Sequence, residues 1–113
     1  MFGKAKDKAQ LIVLDKGLKS VEIFKDDVKK LFAYKNILET INSTMLSGME
    51  FTRNLTDKKR KKIKAQVEMI NKIKASVNKN EKLLKSNEET SELLSKFKTM
   101  SEEYLENFNQ KWS

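Results

Sequence analysis

Leu11, Leu14, Leu18, Val21, Phe24, Val28, Leu31, Tyr34, Leu38, Ile41, Met45 and Met49 follow one another at steps of three or four. That rhythm averages about 3.5 residues, the period of a helical seam, and strand alternation does not fit it. Ile12, Val13, Ile23, Phe32, Ile37 and Leu46 lie off the seam and widen the apolar stripe. A stripe of that width suits a helical bundle better than a bare two-stranded coil. The absence of proline over 113 residues agrees with long uninterrupted helices. The predicted fold is all-α, in one domain covering residues 1–113.

Three or four helices are expected, as a long antiparallel hairpin or bundle, near residues 5–16, 18–47, 57–85 and 88–111. Gly17 costs a helix about 1 kcal/mol relative to Ala and is read as the break between the first two. Gly48 can end the second helix, Thr56 can cap the third, and Asp57 suits its first turn. In the second half, Ile63, Ile70, Val77 and Leu84 recur at sevens with Val67 and Ile73 beside them. The polar stretch Lys85–Glu92 is either a turn or a register shift inside a continuing helix. Ser86 with Glu89 three residues later has the pattern of a capping box. Leu94, Phe97, Met100, Tyr104, Phe108 and Trp112 form the last stripe. The longest apolar run, Leu11 to Leu14, is far short of the roughly 20 residues that span a bilayer. With no secretory signal pattern at residues 1–10, the expected location is the cytoplasm, with peripheral membrane contact as an extension.

Histidine and cysteine are both absent, which removes the commonest general base, the commonest metal ligand and all thiolate chemistry. Asp26-Asp27 and Glu102-Glu103 are adjacent carboxylates, and on a helix such neighbours point about 100° apart rather than at one another. No glycine-rich phosphate loop is present. No catalytic, cofactor-binding or metal-ligating residue is assigned, and the chain is expected not to be an enzyme.

Charge is distributed unevenly: residues 1–56 carry net +3, residues 57–85 net +8 and residues 86–113 net −3. The basic centre is Lys58, Lys59, Arg60, Lys61, Lys62 and Lys64. On a helical wheel the apolar residues of 58–85 fill one arc, and Lys61, Lys64, Lys72, Lys79 and Lys82 the opposite one. The preferred reading is therefore a solvated helix flank beside an acidic neighbour. Glu88, Glu92, Glu102, Glu103 and Glu106 would be that neighbour if the two segments ran antiparallel. The alternative is a sequence-blind contact to DNA or an anionic membrane surface. With only two arginines, base-specific readout is not expected.

In size and composition over the whole chain, the sequence resembles BlyB-type holin-accessory proteins of spirochaete plasmid prophages. The resemblance implies a partner to a small membrane-lytic or holin-like protein, and it carries no functional residue over to this chain. The functional expectation is a non-enzymatic helical assembly or adaptor protein that pairs with itself as a homodimer or higher oligomer. Its expected interface is Leu14, Leu18, Val21, Phe24, Val28, Leu31, Leu38, Ile41 and Met45 from the first stripe. From the last stripe it takes Leu94, Phe97, Met100, Tyr104, Phe108 and Trp112. Trp112 would anchor on a neighbouring helix, a role in which tryptophan is enriched.

Overall fold

A computed structural model describes residues 2–46 and 57–112, with side chains described for 9–46, 57 and 60–109. The chain is all-α, and no strand occurs among the described residues. Its helices are α1 (Phe2–Ile23), α2 (Asp27–Ser43), α3 (Asp57–Lys79), the short α4 (Glu81–Lys85) and α5 (Glu88–Trp112). Helix α2 packs against both α1 and α5, and α3 packs on α1, α4 and α5. No helix among the described residues is long and apolar enough to cross a membrane.

The first stripe folds back on itself at residues 24–26, not at Gly17. The last bond of α1 runs from the Phe24 N–H to the Ser20 carbonyl at 3.0 Å. Asp26 then takes extended backbone, and its carboxylate accepts from the Val28 N–H at 2.9 Å. One otherwise unpaired amide of the new helix is thereby satisfied. Asp27 adds negative charge to the first turn, where the helix dipole favours it. Gly17 sits inside α1 at the crossing with α2. A Cβ built there would lie 2.9 Å from Ile37 Cγ1 and 3.2 Å from Cδ1, so the glycine is a point of close approach. Gly17→Leu is expected to force the two helices apart and cost about 1–3 kcal/mol, checked by the urea midpoint of the purified variant. A gain in stability would show that the crossing is loose.

The second half also contains turns that the sevens conceal. Helix α3 stops at Lys79, and Asn80 leaves helical geometry at φ −116° and ψ 25° before α4. The Asn80 amide donates to the Tyr34 hydroxyl at 2.7 Å and to the Ser76 carbonyl at 3.2 Å. A second turn falls at Ser86–Asn87, which settles the Lys85–Glu92 stretch as a turn. Here the cap is Asn87 rather than Ser86: its Oδ1 accepts from the Thr90 N–H at 3.1 Å. The buried Thr90 hydroxyl reaches back to the Leu84 carbonyl at 2.6 Å and closes the corner. Outside it, Glu81 Oε1 meets Lys98 Nζ at 2.8 Å and Lys85 Nζ at 3.0 Å. Those hydrogen bonds, Lys98 first, hold the Glu81 carboxyl down at about 2. Gly48 and Thr56, read as a helix stop and a cap, lie outside the described residues.

The core joins all five helices. Tyr34, Leu38, Ile41, Ile70, Ile73, Leu84 and Phe97 are fully buried within it, with Leu14, Leu18, Val21, Met45, Leu94 and Tyr104 beside them. Polar ties cross it at chosen points. The Tyr34 hydroxyl and Ser76 Oγ are 2.8 Å apart, and the Tyr104 hydroxyl donates to Gln66 Oε1 at 2.8 Å. Asn42 donates to the Leu93 carbonyl at 3.2 Å, while its Oδ1 is buried without a hydrogen-bond partner.

Burial pushes the Tyr104 hydroxyl from its ordinary 10.0 up to about 12. Burial keeps the phenol neutral in the folded chain, whereas the unfolded chain ionises earlier. The stabilisation is therefore complete below about pH 10 and is lost as pH rises toward about 12. Lysine deprotonation acts on any variant too, so the readout is a difference. The gap between wild-type and Tyr104→Phe urea midpoints should change between about pH 10 and 12 and stay level at lower pH. A gap that stays level across that window would mean the phenol titrates normally.

Candidate docking groove

Folding α1 against α2 leaves a long groove on the outer side of the hairpin, with a volume of about 530 Å³. Val13, Gly17, Ser20 and Phe24 line it from α1 and the turn; Val28, Lys29, Phe32, Asn36 and Thr40 line it from α2. The sequence places them there because 28, 32, 36 and 40 share one helix flank, opposite the flank carrying Tyr34, Leu38 and Ile41. Val28 is 72% exposed and Phe32 66%, while Ile23 beside the turn is 75% exposed. Ile12 and Val13, midway along α1, are exposed as well. Scattered exposed apolar side chains are ordinary, but a contiguous run along a groove marks an interaction surface.

The expected interface is thereby redistributed. Leu14, Leu18, Val21, Leu38, Ile41, Met45, Leu94, Phe97 and Tyr104 are buried in the chain's own core, and Leu31 and Met100 pack against it. These residues cannot meet a partner helix without unfolding, because the turn at 24–26 lets α1 cover α2 within one chain. Phe24 and Val28 remain available in the groove, and Phe108 is half-buried. Trp112 lies in α5, but its side chain falls outside the described residues. Of the residues off the seam, Ile12, Val13, Ile23 and Phe32 face outward, whereas Ile37 and Leu46 are buried; Val28, on the seam, is exposed. For the first four, position off the stripe was the available signal.

Arg60, Lys61, Lys62 and Lys64 of the basic run are exposed at the start of α3, and the side chains of Lys58 and Lys59 fall outside the described residues. Lys72, Lys79 and Lys82 are exposed as well, so the basic arc is solvated as the wheel places it. Ion pairs between elements include Lys35–Glu89 at 2.8 Å, Lys98–Glu81 at 2.8 Å and Lys72–Asp15 at 3.9 Å. Of the acidic segment, Glu89 therefore reaches α2 rather than the basic run.

A second depression of about 520 Å³ lies among α1, α2 and α3, rimmed by Asp15, Lys19, Glu22, Lys30, Lys72 and Lys79. Its floor is Tyr34, Ser76 and Asn80, whose polar atoms already bond to one another. Burial pushes the Tyr34 hydroxyl up, against the pull of its bonds to Ser76 and Asn80. No group of three or more acidic residues among the described residues could hold a metal ion. No protein-family model, curated protein or solved structure matches this chain.

Proposed function

We propose that this chain is a non-enzymatic helical assembly protein that holds a partner helix in the groove between α1 and α2. The observation that carries the reading is the exposure of Val28 and Phe32 in that groove, with Ile23 exposed beside the turn, next to a core already packed within the chain. Seating an amphipathic helix there would remove those side chains from water at roughly 25 cal/mol per Å² of apolar surface. The resemblance in size and composition adds a setting, a holin-like lysis system acting at the cytoplasmic side of a membrane. The test is a photoreactive amino acid placed at Asn36 in the groove and, as control, at Glu103 on α5. Crosslinks to polypeptide from Asn36 but not Glu103, with captured segments sequenced as apolar at steps of three and four, are expected. Absence of groove-specific adducts, or captured segments without that periodicity, would overturn the reading.

A second reading rests on the exposure of Arg60, Lys61, Lys62 and Lys64 in one stretch of α3. These cations would contact phosphates of DNA or of an anionic membrane without reading sequence. Replacing Arg60, Lys61 and Lys64 with Gln should lower DNA affinity and flatten its dependence on salt by up to about 0.9 for each phosphate no longer neutralised. An unchanged salt slope would remove this reading and leave the groove reading intact.

A further inference from the structure

The groove's occupant can be named from the face that surrounds it. Residues 28, 32, 36 and 39 run along the outer flank of α2, Lys25 stands in the turn before it, and all five are exposed. Their steps are three, four, four and three, which read the same in both directions about Phe32. The charges at the two ends are opposite, Lys25 at the turn and Glu39 toward the far end. Neither makes an ion pair with another described residue. We infer that the groove is the isologous interface of a homodimer, in which two α1/α2 hairpins pack face to face with their α2 helices antiparallel and Phe32 at the twofold axis. This inference rests on the docking role proposed for the groove.

In that arrangement Lys25 of each copy meets the partner's Glu39, and Val28 meets the partner's Asn36. The turn end of one hairpin, carrying Ile23 and Phe24, covers the stretch of the other that carries Ile12 and Val13, midway along α1. An antiparallel pairing is what a twofold axis across the helix produces, and it makes one flank self-complementary. The net charge favours a second copy over an acidic helix or an anionic membrane. The hairpin, residues 2–43, holds nine lysines and six carboxylates, a net +3. The larger excess of positive charge, net +8, lies in residues 57–85, away from this flank. A second copy meets less repulsion here than it would at α3, and an anionic partner would be drawn to α3 instead.

The test is sedimentation equilibrium of the full chain with three variants. The wild type should sediment at twice the 13.2 kDa chain mass. Phe32→Asp should sediment as a single chain while keeping its helical circular dichroism and thermal transition, because Phe32 is exposed within each copy. Lys25→Glu should raise the dimer dissociation constant by roughly tenfold, since it turns two attractive pairs into two repulsive ones. Adding Glu39→Lys to it should restore the constant to within roughly threefold by reversing both pairs. A wild type that stays a single chain up to about 1 mM overturns the inference, as does a Phe32→Asp dimer or a double variant no tighter than the single one. If the wild type is a single chain but Asn36 crosslinks to another protein's helix, only the second copy is excluded. If neither association nor crosslinking occurs, the docking role fails with it.

Discussion

Phe97→Ala is expected to cost about 3–5 kcal/mol, a large share of the 5–15 kcal/mol that holds a typical domain folded. The side chain is fully buried on α5. Its removal loses the transfer energy of a phenyl ring and leaves a void that neighbouring helices only partly collapse to fill. Helix α2 sits between α1 and α5, so a void on α5 weakens the packing of the central helix. Urea unfolding followed by helical circular dichroism gives the measurement. A loss under about 1 kcal/mol would mean that Phe97 is not the core residue its burial indicates. The same change should leave the oligomeric state of the remaining folded fraction unaltered, which separates core from interface.

Tyr34→Ala should be comparably damaging, about 3–5 kcal/mol, for a second reason besides volume. The ring is completely buried, and its hydroxyl joins Ser76 and the Asn80 amide at the corner between α3 and α4. Tyr34→Phe isolates the polar part. It keeps the ring but takes away the acceptor for Asn80, and should cost about 1–3 kcal/mol. Stability in urea for the two variants gives the ring and hydroxyl contributions by difference. If Tyr34→Phe proves neutral, water at the neighbouring depression satisfies Asn80 and the corner does not depend on the tyrosine.

The helical class was legible because burial in this chain follows a helix's period almost everywhere. On α3, Ile70, Ile73 and Val77 are buried and Lys61, Lys64, Lys72 and Lys79 are exposed, as the wheel requires. The turns were much harder to see. Val21, Phe24, Val28 and Leu31 keep steps of three and four straight across the break at 24–26, because Phe24 in the turn and Val28 just after it are apolar and line the groove. Asp26 is the cap that makes the turn, but the unbroken rhythm placed it, with Asp27, on a continuing helix. Gly17 drew the break to itself because a glycine in a helix interior costs stability; here the lost Cβ lets α2 come close. Val77 to Leu84 likewise spans seven residues across the corner at Asn80. The groove was hidden for a related reason. Periodicity selects the regular stripe, and most of that stripe became the core; the groove took Phe24 and Val28 from the stripe and Val13 and Phe32 from beside it.

Asn42 carries a last consequence. It lies on the seam between α2 and α5, donating to Leu93 while its carbonyl oxygen has no hydrogen-bond partner among the described residues. An apolar seam of leucines and isoleucines tolerates sliding, since one greasy knob replaces another after a single turn of about 5.4 Å. A shift of that kind would strand the amide's donor as well as its acceptor in a dry place. The asparagine thus acts as a detent: it weakens the seam slightly and makes every competing alignment weaker still. For so lysine-rich a bundle of similar helices, settling on one alignment can matter more than the last increment of cohesion.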